Sequence, residues 1–196
     1  SEMCIRDSFR GDFGQFFTPK PIVEFIVSAI GVNKDWKILD TSCGSGGFLL
    51  HALKAIRDDA NEIFSDEIGS ASWRDYWHVF AEKHLFGIEI NEQISRVAKM
   101  NMIIHGDGRN GVFKHDGFLN VEGFIHEDKF DICFTNPPFG AYETDKAILD
   151  LFELGKSRNS QAREILAIER CLNLVKKGTG IVLSLIHISE PTRHLR

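Results

Sequence analysis

Lys37-Ile38-Leu39-Asp40-Thr41-Ser42-Cys43-Gly44-Ser45-Gly46-Gly47 is the stretch whose reading decides the fold. Lys37 to Leu39 reads as a short strand and Phe48 to Ile56 as a helix, so the small residues between them form a βα turn. Glycines there let the backbone approach a ligand closely, and the start of the next helix presents amides without intrahelical partners. Taken alone, the loop is equally compatible with a plain tight turn.

Outward from it, strands are predicted at Lys37 to Leu39, Leu85 to Ile88, Val112 to Lys114, Phe130 to Thr135 and Gly180 to Val182. Helical patterns separate most of them. Val23, Ile26, Val27 and Ile30 share one apolar face; Ile94, Val97, Ala98 and Ile104 share another after Glu92. Ile165, Ile168, Leu172 and Val175 form a third that ends at Gly178, read as a C′ glycine. Such alternation implies an α/β fold, a mostly parallel sheet flanked by helices, with ligands at the carboxyl ends of the strands. Ala60 to Lys83 reads as a helical excursion whose Trp73, Tyr76 and Trp77 serve packing. Gly140 to Gln161 reads as a polar loop, either a mobile cover over a substrate or ordinary surface.

Two further stretches carry chemistry. Asn136-Pro137-Pro138-Phe139 closes the apolar run Phe130 to Thr135. Its prolines fix φ and lack donors, so the Asn136 amide oxygen and the Pro137 carbonyl are free to accept from one nitrogen beside the Phe139 ring. That suits methyl transfer to a planar amino group. Gly14-Gln15-Phe16-Phe17-Thr18-Pro19-Lys20-Pro21 precedes the first helix, with Thr18 as its expected N-cap and Pro19 and Pro21 suited to a helix entry.

In this order the three stretches resemble motifs X, I and IV of the N6-adenine DNA methylase family, especially the modification subunit of type I restriction systems. The resemblance covers most of Gly11 to Val182 and includes Leu85-Phe86-Gly87-Ile88-Glu89-Ile90 and Ala98 to Gly106. Thr41 stands where proline is common, and Lys177-Gly178-Thr179-Gly180 replaces a more usual Pro-Gly-Gly.

The resemblance implies a Rossmann-like S-adenosylmethionine-dependent methyltransferase fold, C-terminally truncated. It implies S-adenosyl-L-methionine as cofactor, with Gln15, Phe16, Phe17, Thr18, Pro19 and Lys20 packing over it and meeting its carboxylate. Asp40, Cys43, Gly44, Ser45, Gly46 and Gly47 would form its loop, and Glu89 would accept both ribose hydroxyls. In Asp116-Gly117-Phe118, similar to motif III, the acid would meet the adenine amino group; Asp107 is the competing candidate. Asn136, Pro137, Pro138 and Phe139 would act on N6 of a flipped-out adenine. Cys133, expected inside the strand, is no cytosine-type nucleophile.

Implied partners are double-stranded DNA, a specificity subunit and a restriction subunit. A net charge of −5 is awkward for neutralising phosphates unaided, so DNA affinity is expected to come mostly from such a partner. Methylation of a protein glutamine or an RNA amino group, and a non-catalytic cofactor-binding or assembly module, are the alternative readings. At 196 residues and 43% hydrophobic content, one core is expected. Isolated cysteines and eight scattered histidines suggest no metal site, and the absence of a long apolar run suggests no membrane span and a cytoplasmic protein.

The two ends read differently. Glu2 to Ser8 is encodable by GAG ATG TGT ATA AGA GAC AG plus one base, whose reverse complement, CTG TCT CTT ATA CAC ATC TC, translates as Leu183 to Ser189. Residues 1–8 and 184–196 are therefore expected to be translated sequencing adapter without packed positions, leaving 9–183 as a partial cofactor-binding and catalytic core.

Overall fold

The structure, a computed structural model, describes residues 18–106, 109–138 and 140–185. Helix α1 (Lys20–Ile30) leads to strand β1 (Ile38–Asp40), α2 (Gly47–Ile63), α3 (Ala71–Lys83), β2 (Leu85–Glu89), α4 (Glu92–His105) and β3 (Val112–Lys114). Then follow β4 (Ile132–Thr135), β5 (Tyr142–Glu143), α5 (Lys146–Leu149), β6 (Gln161–Ala162), α6 (Arg163–Leu174) and β7 (Ile181–Ser184). Five strands form one sheet in the order β3-β2-β1-β4-β7, every neighbouring pair parallel. Strand order reverses at β1, which pairs with β2 on one edge and β4 on the other, and such a switch point opens a crevice at the carboxyl ends.

Both faces of the sheet are covered, which is why its strands read as continuous apolar runs. Ile38, Leu85, Ile132 and Phe134 point into a cluster with α1, α2 and α3, where Phe48 stacks on Phe134 at 4.6 Å. The alternate residues Leu39, Phe86, Ile88 and Cys133 meet Cys171 and Leu174 of α6 on the other face. The aromatics of α3 pack, as expected: Trp77 is buried, with Trp73 edge-on to it.

Several expectations need correction. On α4 the buried positions are Ser95, Ala98 and Met102, while Val97 and Ile104 are exposed. Ala98 lies beside the glycine loop, where a Cβ at Gly46 would be in van der Waals contact with its own at 3.9 Å, and Met102 fills the buried face further along the helix. On α6 the buried face is Leu166, Ala167, Arg170, Cys171 and Leu174, with Ile165 and Leu172 outside. That helix ends at Leu174, and Gly178 (φ 80°) belongs to the following turn, closed by the Gly180 amide donating to Lys176 O. Phe130 makes only an isolated bridge to Val175 and precedes β4.

Gly140 to Gln161 is more than a loop. β5 pairs antiparallel with β6, and Leu149 and Phe152 join Phe118, Leu166 and Ala167 in a third apolar cluster. At the other end β7 runs past the expected boundary. Ser184 is opposite Thr135, the Leu185 amide donates to Thr135 O, and the Leu185 side chain packs on the first cluster. The expected lack of packed positions from Ser184 onward is thereby corrected for these two residues; a parallel ladder accepts any extended residue with a free amide. Residues 1–8 and 186–196 lie outside the described residues.

Candidate active site

Four carboxyl-terminal strand ends converge on the switch point. After β1 the chain turns through Gly44 (φ 54°) and Gly46 (φ 90°), left-handed values that glycine adopts without strain. The Cys43 amide donates to Ile88 O (2.9 Å), which seats the loop on β2, and α2 then starts with no side-chain cap. Gly87 makes that seat possible, since a Cβ there would lie 2.8 Å from Leu49 Cδ1 and 3.0 Å from Cys43 Sγ. Cys43 is thus packed beneath the loop, and burial pushes its thiol pKa up.

Asp40 and Glu89 end β1 and β2, both buried. Asp40 Oδ1 accepts from the Ser42 amide (3.0 Å). Burial, together with the nearby Glu89, raises its pKa to about 7. Glu89 accepts from the Gly44 amide through Oε2 (3.1 Å) and from the Asn91 amide through Oε1 (2.8 Å). The helix cap itself is Asn91, whose Oδ1 accepts from Gln93 and Ile94. Each Glu89 oxygen retains a second acceptor position.

After β3, the His115 amide donates to Glu89 O, and Asp116 Oδ1 accepts from the Phe118 amide (2.9 Å). Gly117 lies on the first loop so closely that a Cβ would sit 2.4 Å from Thr41 O. Asp40, Glu89, Asp116 and Gly117 are therefore brought together with the loop Cys43 to Gly47.

Asn136 follows β4. Its Nδ2 donates to Thr18 Oγ1 (2.9 Å), while its buried Oδ1 has no hydrogen-bond partner among the described residues. Thr18 consequently does not cap α1; Pro19 occupies that position without a side-chain cap bond. Pro137 is buried and Pro138 exposed. Lys20 faces outward, 3.9 Å from Glu24. Gln15, Phe16, Phe17, Asp107 and Phe139 lie outside the described residues. Cys133 is buried inside β4, and burial raises its pKa.

Three residues that sequence reasoning missed support this site. Asn101 Nδ2 donates to Ser45 O (2.9 Å), tying the glycine loop to α4. Arg170 Nε donates to Gly117 O (3.2 Å) and its Nη2 to Asn120 Oδ1 (2.8 Å). Arg163 binds Glu143 (2.8 Å) and lies 4.0 Å from Asp116 Oδ2.

Comparison with known proteins bears on the family and the fold. The type I restriction enzyme EcoEI methylase subunit of Escherichia coli is 29% identical over 145 residues, 74% of this chain and 27% of that protein. The MjaVII methylase subunit of Methanocaldococcus jannaschii is 26% identical over 182 residues, 87% of this chain and 28% of that protein. The chain spans little more than a quarter of the length of these relatives. A modification subunit assigned to a type I restriction enzyme of Vibrio vulnificus YJ016 superposes with TM-score 0.70 and 25% identity, over 93% of this chain and 37% of that one. A protein of Listeria monocytogenes assigned as a class I S-adenosylmethionine-dependent methyltransferase shares the fold, with TM-score 0.63 and 18% identity, over 92% of this chain and 49% of that one. The sheet is that of the S-adenosylmethionine-dependent methyltransferases. A sequence model described as N-6 DNA Methylase matches residues 7–187, and the chain belongs to that family.

Proposed function

We infer that this chain is the cofactor-binding and catalytic core of a DNA methyltransferase acting on N6 of a flipped-out adenine, working as a modification subunit. The observation that carries the reading is Asn136. A buried amide oxygen without a partner is costly unless a ligand completes it, and Thr18 holds the opposite end of the amide so that, among the described residues, the acceptor is the atom left open.

S-adenosylmethionine fits the residues present. Glu89 retains acceptor positions for ribose hydroxyls, the Gly44 to Gly47 loop offers close backbone approach, and Asp116 Oδ2 is free of backbone partners among the described residues. When bound, the cofactor supplies an electrophilic methyl group on a positively charged sulfur. The protein's part is positional. Asn136 Oδ1 and Pro137 O accept from the amino group of the target base, drawing it toward pyramidal geometry and exposing its lone pair. Phe139 would hold the ring by stacking, worth roughly 1–3 kcal/mol. The base must leave the duplex to reach these groups.

Two relatives are methylase subunits of type I restriction enzymes, and this supports double-stranded DNA as substrate and specificity and restriction subunits as partners. The net charge of −5 agrees with a duplex held mainly by another subunit. Mass spectrometry of digested DNA, after incubation of the completed protein and its specificity subunit with S-adenosylmethionine, should show N6-methyladenine. Asn136→Ala should abolish that product while largely sparing cofactor affinity, because the contact is made to the amino group. Methyl groups on cytosine, on RNA alone or on protein would overturn the reading, as would an undiminished rate in Asn136→Ala.

A further inference from the structure

We propose that Arg170 is a positioning residue that sets the Asp116-Gly117 turn to receive the adenine of the cofactor; this rests on the cofactor reading above. Arg170 projects from the buried face of α6, among Leu166, Ala167, Cys171 and Leu174. It is 5% exposed, and among the described residues no carboxylate pairs with it. Burial lowers its pKa, the mark of a cation removed from water. An apolar side chain of similar length would pack in that helix face at lower cost. The guanidinium must therefore be explained by what it holds.

It holds one turn at two points. The Leu119 amide donates to Asp116 O (3.1 Å), and within that turn Arg170 reaches Gly117 O while its other nitrogen reaches Asn120 Oδ1 just beyond. Gly117 has no room for a side chain against Thr41 O, so its carbonyl is the handle left by which the turn is anchored. A planar guanidinium fixes two acceptors at a set angle, which an ammonium does not. Arg163, on the same side of α6, completes the grip by lying over the Phe118 ring at 4.8 Å.

The consequence falls on Asp116. Oδ1 is occupied by the Phe118 amide, while Oδ2 has only the Arg163 guanidinium beside it, at 4.0 Å, so Oδ2 is the oxygen with acceptor capacity left for an amino group. A purine carrying an oxo group in place of that amino group would set two acceptors against each other and be rejected. Arg170 thus makes the turn selective for adenine by keeping Oδ2 in one place.

Calorimetry with S-adenosylhomocysteine and with S-inosylhomocysteine, in which hypoxanthine replaces adenine, tests this. The wild-type chain should prefer the adenine form by about tenfold or more, and Arg170→Met should reduce the preference to about threefold or less. Arg170→Lys, which keeps the charge but not the fork, should recover part of it. A packing role alone would lower the melting temperature of Arg170→Met and leave its preference intact, and that result overturns the proposal. Should Arg170→Met not fold, Asn120→Ala decides by the same readout: a reduced preference supports the proposal and an unchanged one overturns it. A wild-type chain that binds neither compound refutes the cofactor reading itself, whereas equal binding of both refutes only the adenine turn.

Discussion

Replacing Asp40 with asparagine should remove a pH-dependent penalty on folding that the wild-type chain carries. Asp40 is 2% exposed, accepts from the Ser42 amide, and faces the negative field of Glu89. Burial is the largest cause of its pKa of about 7. In the unfolded chain an aspartate titrates near about 3.9. Between those values the folded chain retains a proton that the unfolded chain has released, so stability is greatest below the unfolded pKa. It is lost as pH rises through the folded one. The full linkage corresponds to about 4 kcal/mol, and relaxation of the site and water penetration reduce the expected effect to about 2–4 kcal/mol. Asparagine keeps an oxygen for the Ser42 amide and never ionises. Urea unfolding of both proteins at about pH 4 and about pH 8 should therefore show Asp40→Asn gaining that amount on wild type at the higher pH. Groups common to both proteins cancel in the comparison. A difference between the two proteins that is the same at both pH values would refute the argument.

Two more outcomes are expected. Glu89→Ala should weaken S-adenosylmethionine binding by roughly 1–3 kcal/mol in calorimetry, the range for lost charge-assisted hydrogen bonds, in protein verified as folded; unchanged affinity would remove Glu89 from the site. Amplification of the source gene should read different codons for Met3 to Ser8 and Ser184 to Arg193, and recovery of the same codons at the genomic locus would end the adapter explanation.

Strand positions were legible because a parallel sheet covered on both faces writes itself as apolar runs; Val112 to Lys114 coincides with β3, and Leu85 to Ile88 falls one residue short of β2. Helix faces were less so. Counting apolar residues assigned Val97 and Ile104 to the inside of α4, whereas Ser95, Ala98 and Met102 are buried there, Ala98 in van der Waals reach of Gly46. Asp40, Glu89 and Asp116 were singled out through the family resemblance, and the structure sets the first two at strand ends and the third two residues beyond one. Thr18 looked like a helix cap because local chemistry favours one, and the competing partner, Asn136, lies 118 residues away. Arg170 and Asn101 carry no local signature, since what defines each is a backbone carbonyl supplied by a distant turn. The pairing of β5 with β6 was hidden for a related reason: two-residue strands have too short a pattern to register.

The position of β1 between β2 and β4 also sets the order in which the chain can fold. β1 ends at Asp40, and the strand that completes its second edge begins only at Ile132. A chain emerging from the ribosome can pair β1 with β2 and then β3, but the other edge of β1 stays open until β4 has been made. β4 in turn waits for β7. Closing so long a loop opposes rapid nucleation across that seam, and the unpaired edge invites contact with other chains while it waits. The crevice that gathers Asp40, Glu89 and Asn136 opens at this seam, so the candidate active site is completed only after Asn136, 96 residues beyond Asp40, has been translated.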